Sequence, residues 1–177
     1  MRTQVCIIGG GPSGLLLSQL LHRKGIDTIV LERKDRDYVL ARIRAGVLET
    51  GLAGLMHEAG ISERMDREGF VHDGAVISFA DDQFRVDFKA LVGKSAIVYG
   101  QTEVTRDLYD AREAAGGKIE FNVDDVVIHD ADRDNTFVTF RQDGAERRID
   151  CDFVAGCDGF HGVSRKTIPE SVRREYE

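Results

Sequence analysis

The chain is short of the residues that would make it a disulfide or metal protein. Its three cysteines, Cys6, Cys151 and Cys157, are odd in number and have no C-x-x-C spacing, so no redox pair or zinc knuckle is expected and buried thiols are the simplest reading. The five histidines (His22, His57, His72, His129, His161) are scattered without an H-E-x-x-H pair, and no metal site is expected. No apolar run approaches the roughly 20 residues of a membrane-spanning helix. The amino terminus enters a strand-like segment with no signal-peptide pattern, so a cytoplasmic location without membrane contact is the expectation. Basic excess is also lacking. With 24 Lys and Arg against 31 Asp and Glu, the net charge of −7 argues against a general nucleic-acid binder, which needs a positive face against phosphate. Internal repeats and low-complexity linkers are absent as well. What remains, 177 residues at 42% hydrophobic content, suffices for one packed domain.

The order of patterns along the chain is that of an α/β fold. Residues 3–8 form a short β-branched apolar run that ends on glycine, as a buried parallel strand does. From Ser13 to Lys24, Leu15, Leu16, Leu17, Leu20 and Leu21 make the broad apolar face of a helix, and Gly25 is a stop. Thr28 to Leu31 reads as a second buried strand, completing a right-handed βαβ unit. Residues 35–44 read as a charged connection, and Val47 to Ala59 as a helix. Segments 76–79, 84–88 and 96–99 predict a small β region, and Thr102 to Ala115 a further helix. Segments 137–140 and 148–154 flank Asp143-Gly144, a strong signal for a tight hairpin.

Gly9-Gly10-Gly11-Pro12-Ser13-Gly14 fits G-x-G-x-x-G. Alone the match is weak, because glycine-rich turns often serve only backbone geometry. Here it directly follows a strand and opens a helix: Gly9 permits the tight turn, Gly11 admits a pyrophosphate and Gly14 lets helix and strand pack closely. The helix amino terminus offers unpaired N–H groups and a positive dipole end to the phosphates. Glu32 closes the second strand, where a carboxylate accepts hydrogen bonds from an adenosine ribose and repels a 2′-phosphate. FAD or NAD is therefore expected at this point in preference to NADP.

A second motif, Gly156-Cys157-Asp158-Gly159-Phe160-His161-Gly162-Val163-Ser164-Arg165, follows another strand. It resembles the D-G fingerprint of the single-component, FAD-dependent aromatic hydroxylases, usually D-G-x-x-S-x-x-R, with Gly162 in place of the serine as in the hydroxybenzoate branch. Segments 31–33, 37–49, 99–108 and 157–165 are similar to that branch in particular, and the resemblance runs over essentially the whole chain. It implies a Rossmann-like βαβ FAD-binding domain, with a parallel sheet plus a small antiparallel β region, over residues 1–177. It also implies that the substrate domain and the later G-D motif lie outside this chain.

Carried over position by position, the resemblance implies FAD contacts from Gly9, Gly11, Ser13, Gly14, Glu32, Arg42, Arg44, Gln101, Asp158 and Gly159. It implies NADPH contacts from Arg33, Tyr38, Arg42, Arg44 and His161. Lys34 replaces a common glutamine and keeps the charge positive, while Ala41 replaces a common glycine. The basic cluster of Arg33, Lys34, Arg36, Arg42 and Arg44 suits phosphate oxygens, which guanidinium groups can meet bidentately. No residue of the chain stands out as an acid, base or nucleophile, so the catalytic residue is left unknown. The implied reaction of the complete enzyme is hydroxylation of a small aromatic acid, 4-hydroxybenzoate in this branch, ortho to its phenolate at the expense of NADPH and O₂. Relatives are commonly homodimers, which is the expected assembly. The alternative is a nucleotide-binding or redox-sensing module without hydroxylase activity. An ordinary NAD-dependent dehydrogenase would have no reason to carry Asp158-Gly159 or Gln101.

Overall fold

The computed structural model describes residues 1–174, and the last three residues of the expected domain lie outside the described residues. Strand β1 (Arg2–Ile8), helix α1 (Pro12–Arg23) and strand β2 (Thr28–Leu31) form the expected opening unit. Pro12 occupies the first helical position, where its missing N–H costs nothing. At the other end Gly25 adopts φ +72°, its N–H reaches the His22 carbonyl, and the Ile26 N–H reaches back to Leu21, which is the Schellman arrangement of a helix stop.

The following segments are more structured than their sequence indicated. The connection at 35–44 contains α2 (Arg36–Ala41), capped by the Asp35 carboxylate on the Tyr38 N–H. Residues expected to start one long helix divide into β3 (Val47–Leu48) and α3 (Thr50–Ala59), because Val47 and Leu48 pair antiparallel with a later strand. Then come α4 (Glu63–Glu68), β4 (Phe70–His72), β5 (Gly74–Phe79), β6 (Asp82–Asp87), α5 (Phe88–Val92) and β7 (Ala96–Val98). Phe88, expected in a strand, starts α5 because Asp87 caps the Ala90 N–H. The chain continues with α6 (Gln101–Ala114), β8 (Lys118–Glu120), β9 (Asp124–His129), β10 (Phe137–Gln142), β11 (Ala145–Gly156) and α7 (Val163–Lys166).

The six-stranded sheet runs β8-β2-β1-β11-β10-β9. Its first four strands are mutually parallel, while β10 and β9 are antiparallel additions. Strand β11 joins the two parts: it pairs with β10 from Ala145 to Asp150 and with β1 from Asp150 to Gly156. The turn between β10 and β11 is the predicted one, with Asp143 and Gly144 both at positive φ. One face of the sheet buries Val5, Ile7 and Val30 against Leu17 and Leu21 of α1. Cys6, Ile8, Ile29 and Leu31 pack on the other side with Val138, Phe140 and Ile149 of the antiparallel part. Smaller sheets, β3-β7-β4 and β5-β6, make up the predicted antiparallel region. No helix among the described residues is long and apolar enough to cross a membrane.

Candidate functional site

Three adjacent parallel strands place the two motifs together. The glycine loop leaves the carboxyl end of β1, Glu32 the end of β2, and Cys157-Asp158 the end of β11. This is the edge of an open α/β sheet at which ligands bind. The Cys157 N–H donates to the Ile8 carbonyl at 2.7 Å, and the Gly9 N–H to that of Leu31 at 2.8 Å, so all three strand ends are tied.

The glycines differ in what surrounds them. Gly9 has φ +108°, and a Cβ on it would overlap the Cys157 carbonyl oxygen. A Cβ on Gly14 would overlap the Gly9 carbonyl oxygen and press on Ile7. Around Gly11 there is open space, with nothing within 4 Å of where a Cβ would be. Gly9 and Gly14 are thus held by the protein's own backbone, whereas Gly11 faces a vacant approach. Gly11 is also the N-cap of α1 and supplies no side-chain oxygen to the first-turn amides. Those amides are left for an anion.

Glu32 is partly buried and its two oxygens are already oriented. Oε2 accepts the Gly10 N–H at 2.8 Å and Oε1 the Lys34 N–H at 2.9 Å. A carboxylate oxygen has a second lone pair, so ribose hydroxyls can still be accommodated. Asp158 is placed similarly: Oδ2 accepts the Ser164 N–H at 3.0 Å, and its carboxylate fills the space where a Gly162 side chain would sit. This explains why glycine stands in the serine position of the motif. Gly159, at φ +77°, turns the chain between them. Ser13 is exposed at the start of α1, and burial pushes the titration of the Cys157 thiol upward.

The remaining predicted residues form two groups. The segments that carry Arg44 and Gln101 meet next to these residues: the Tyr99 N–H donates to the Gly46 carbonyl at 2.8 Å, and Gly46 abuts Gly100. Tyr38 is half-exposed, with the Lys34 ammonium 5.3 Å and the Arg42 guanidinium 6.0 Å from its ring centroid. Arg33 is exposed just before α2. Arg36 departs from the expected basic cluster: it is paired with Asp110 and Glu113 of α6 and lies over the Tyr109 ring. His161 is exposed and meets Phe160 edge-on, while the Arg165 guanidinium sits 4.2 Å from the same ring. Tyr109, which sequence patterns did not single out, is buried and donates its hydroxyl to the Gly10 carbonyl at 2.8 Å. Among the described residues there is no cluster of three metal-ligating side chains.

A family described as FAD binding domain matches residues 2–177. The chain belongs to this family. The FAD-binding domain is 46% identical, over all of its length, to p-hydroxybenzoate hydroxylase of Acinetobacter baylyi, of which it covers 44%. It is 27% identical to a 3-(3-hydroxy-phenyl)propionate/3-hydroxycinnamic acid hydroxylase of Burkholderia vietnamiensis, covering 94% of this chain and 31% of that one. The FAD-binding domain thus spans less than half the length of these curated relatives. Among solved structures, pqsL of Pseudomonas aeruginosa, a probable FAD-dependent monooxygenase, matches with a TM-score of 0.80 at 20% identity, over 99% of this chain and 48% of that one. That likeness bears on the fold alone. The anhydrotetracycline hydroxylase OxyS of Streptomyces rimosus matches with a TM-score of 0.74 at 25% identity, over 90% of this chain and 32% of that one.

Proposed function

We propose that this chain is the amino-terminal, FAD-binding part of an NADPH-dependent monooxygenase that hydroxylates 4-hydroxybenzoate to 3,4-dihydroxybenzoate. The observation that carries the reading is the meeting of Gly9 and Cys157, which joins the glycine loop to the D-G motif at one edge of the sheet. The 46% identity to a p-hydroxybenzoate hydroxylase supports the substrate.

In this reading Gly11 and the first turn of α1 take the pyrophosphate, Glu32 the adenosine ribose, and Asp158 the ribityl and phosphate region. Ser13, Arg42, Arg44 and Gln101 complete the FAD contacts. Bound FAD supplies the redox chemistry linking NADPH, O₂ and the aromatic ring. The residues of the chain bind and orient it. Arg33, Tyr38 and His161, with Arg42 and Arg44, receive NADPH. The exposed cationic loop gives its 2′-phosphate a partner apart from the carboxylate of Glu32. The residues that hold the aromatic acid belong to a further domain, and homodimeric assembly and a cytoplasmic location belong to the same proposal.

The test is spectroscopic and then chemical. The purified chain should bind FAD and turn yellow, and a chain extended to the length of the relatives should convert 4-hydroxybenzoate to 3,4-dihydroxybenzoate with NADPH. By itself the chain should give hydrogen peroxide when reduced in air, because productive oxygen transfer needs an enclosed site and a placed ring. Absence of FAD binding by a folded chain would overturn the reading.

A further inference from the structure

Gly10 is held on both of its peptide groups by side chains distant in sequence. Its N–H donates to Glu32 Oε2 at 2.8 Å, and its carbonyl accepts the Tyr109 hydroxyl at 2.8 Å. Tyr109 comes from the middle of α6, is 2% exposed, and is enclosed by the Phe121 ring, 5.8 Å away between centroids, and by the Arg36 guanidinium. Arg36 is itself fixed by Asp110 and Glu113. A hydroxyl held this way is a fixed point on which a flexible glycine loop can be registered.

The geometry of a trans peptide turns this registration into an effect on the ligand. Carbonyl and N–H of one planar unit point in opposite directions. The Gly10 carbonyl is turned inward to Tyr109, so the N–H of Gly11 in the same unit is turned away from Tyr109. It makes no hydrogen bond within the described residues, and the space beside Gly11 is open. We propose that Tyr109 is a positioning residue for the dinucleotide site: by holding the Gly10 carbonyl, its hydroxyl aims the Gly11 N–H at the ligand's pyrophosphate. Glu32 orients the ribose contact and Tyr109 the phosphate contact, each from one end of the same glycine. This rests on the reading of the glycine loop as a pyrophosphate site.

Tyr109→Phe removes the hydroxyl and keeps the ring. Binding of FAD, ADP and adenosine to the full chain by calorimetry, with thermal unfolding of the ligand-free protein, separates the roles. The variant should lose about fivefold to tenfold in affinity for ADP and FAD, the effect of one misdirected hydrogen bond. Affinity for adenosine, which has no phosphate, should stay within about twofold in the same comparison. Unchanged ADP affinity, an equal loss for adenosine, or a Tyr109→Phe chain that does not fold would each overturn the positioning role. Failure of the unaltered chain to bind ADP or FAD would instead remove the nucleotide reading itself, and this proposal with it.

Discussion

The carbonyl of Cys157 lies where a side chain of Gly9 would be, and the Cys157 N–H is bonded to the residue before Gly9. Two glycines two positions apart should consequently fail in different ways. Gly9→Ala meets both a positive φ and a backbone overlap, so it should lower stability by more than the ~1–3 kcal/mol of backbone strain alone. Gly11→Ala, with φ −77° and open surroundings, should leave ligand-free stability within ~0.5 kcal/mol. Its methyl group would nevertheless block the phosphate approach and cut FAD affinity by at least ~10-fold, about 1.4 kcal/mol. Denaturant unfolding paired with FAD titration distinguishes them; equal loss of stability would refute the division.

Glu32→Lys tests the ribose contact. FAD affinity should drop sharply, with each lost charge-assisted hydrogen bond worth about 1.5–3 kcal/mol. The carboxylate also holds the Gly10 and Lys34 amides, so the variant should lose thermal stability too. Retention of full FAD affinity in the folded variant would eliminate Glu32 as a ligand contact.

In a full-length enzyme, Arg33→Ala and Tyr38→Ala should raise KM for NADPH more than for NADH. The motive is the cationic loop in which Lys34 and Arg42 flank the Tyr38 ring, beside an anionic Glu32 that disfavours a 2′-phosphate. Steady-state kinetics with both coenzymes decides it, and equal increases would count against phosphate recognition.

The acid limb of stability should depend on Glu103. Its carboxyl is held below the ordinary value by hydrogen bonds from Arg64 first and then Arg106, in a network that also ties Arg64 to Asp107. A depressed folded-state value means that the unfolded chain binds the extra proton. The stabilisation is therefore full above the unfolded value of about 4.3 and is lost as pH falls through the folded one. Glu103→Gln should lower Tm at pH 7, and its difference from the unaltered chain should shrink toward pH 3. A pH-independent difference would contradict this.

The opening βαβ unit, the Asp143-Gly144 hairpin and both nucleotide motifs were legible in the sequence because each rests on local signals: glycine spacing, a leucine-rich helical face, a two-residue turn. The helix expected from Val47 started late because Val47 and Leu48 are claimed by β7, a pairing that periodicity does not encode. Strand β8 is three residues long and α2 six, too short for either period to register. The site showed the same limit. Arg36 looked like another phosphate ligand until α6 supplied Asp110 and Glu113, and Tyr109 drew no attention because no local pattern shows that its hydroxyl reaches Gly10, 99 positions away.

The place of β1 between β2 and β11 has a consequence for synthesis. The glycine loop follows β1 directly, whereas its seat against Cys157 and the neighbouring strand β11 come much later along the chain, so the loop leaves the ribosome well before the strand it is to pair with. Over that interval the nascent chain carries the fingerprint with one edge of β1 unpaired and its apolar residues uncovered. Sequence-distant pairing of this kind is slow and exposes sticky edges. The nucleotide pocket therefore cannot close until β11 has been made, and until then the open edge of β1 is available to pair with other strands.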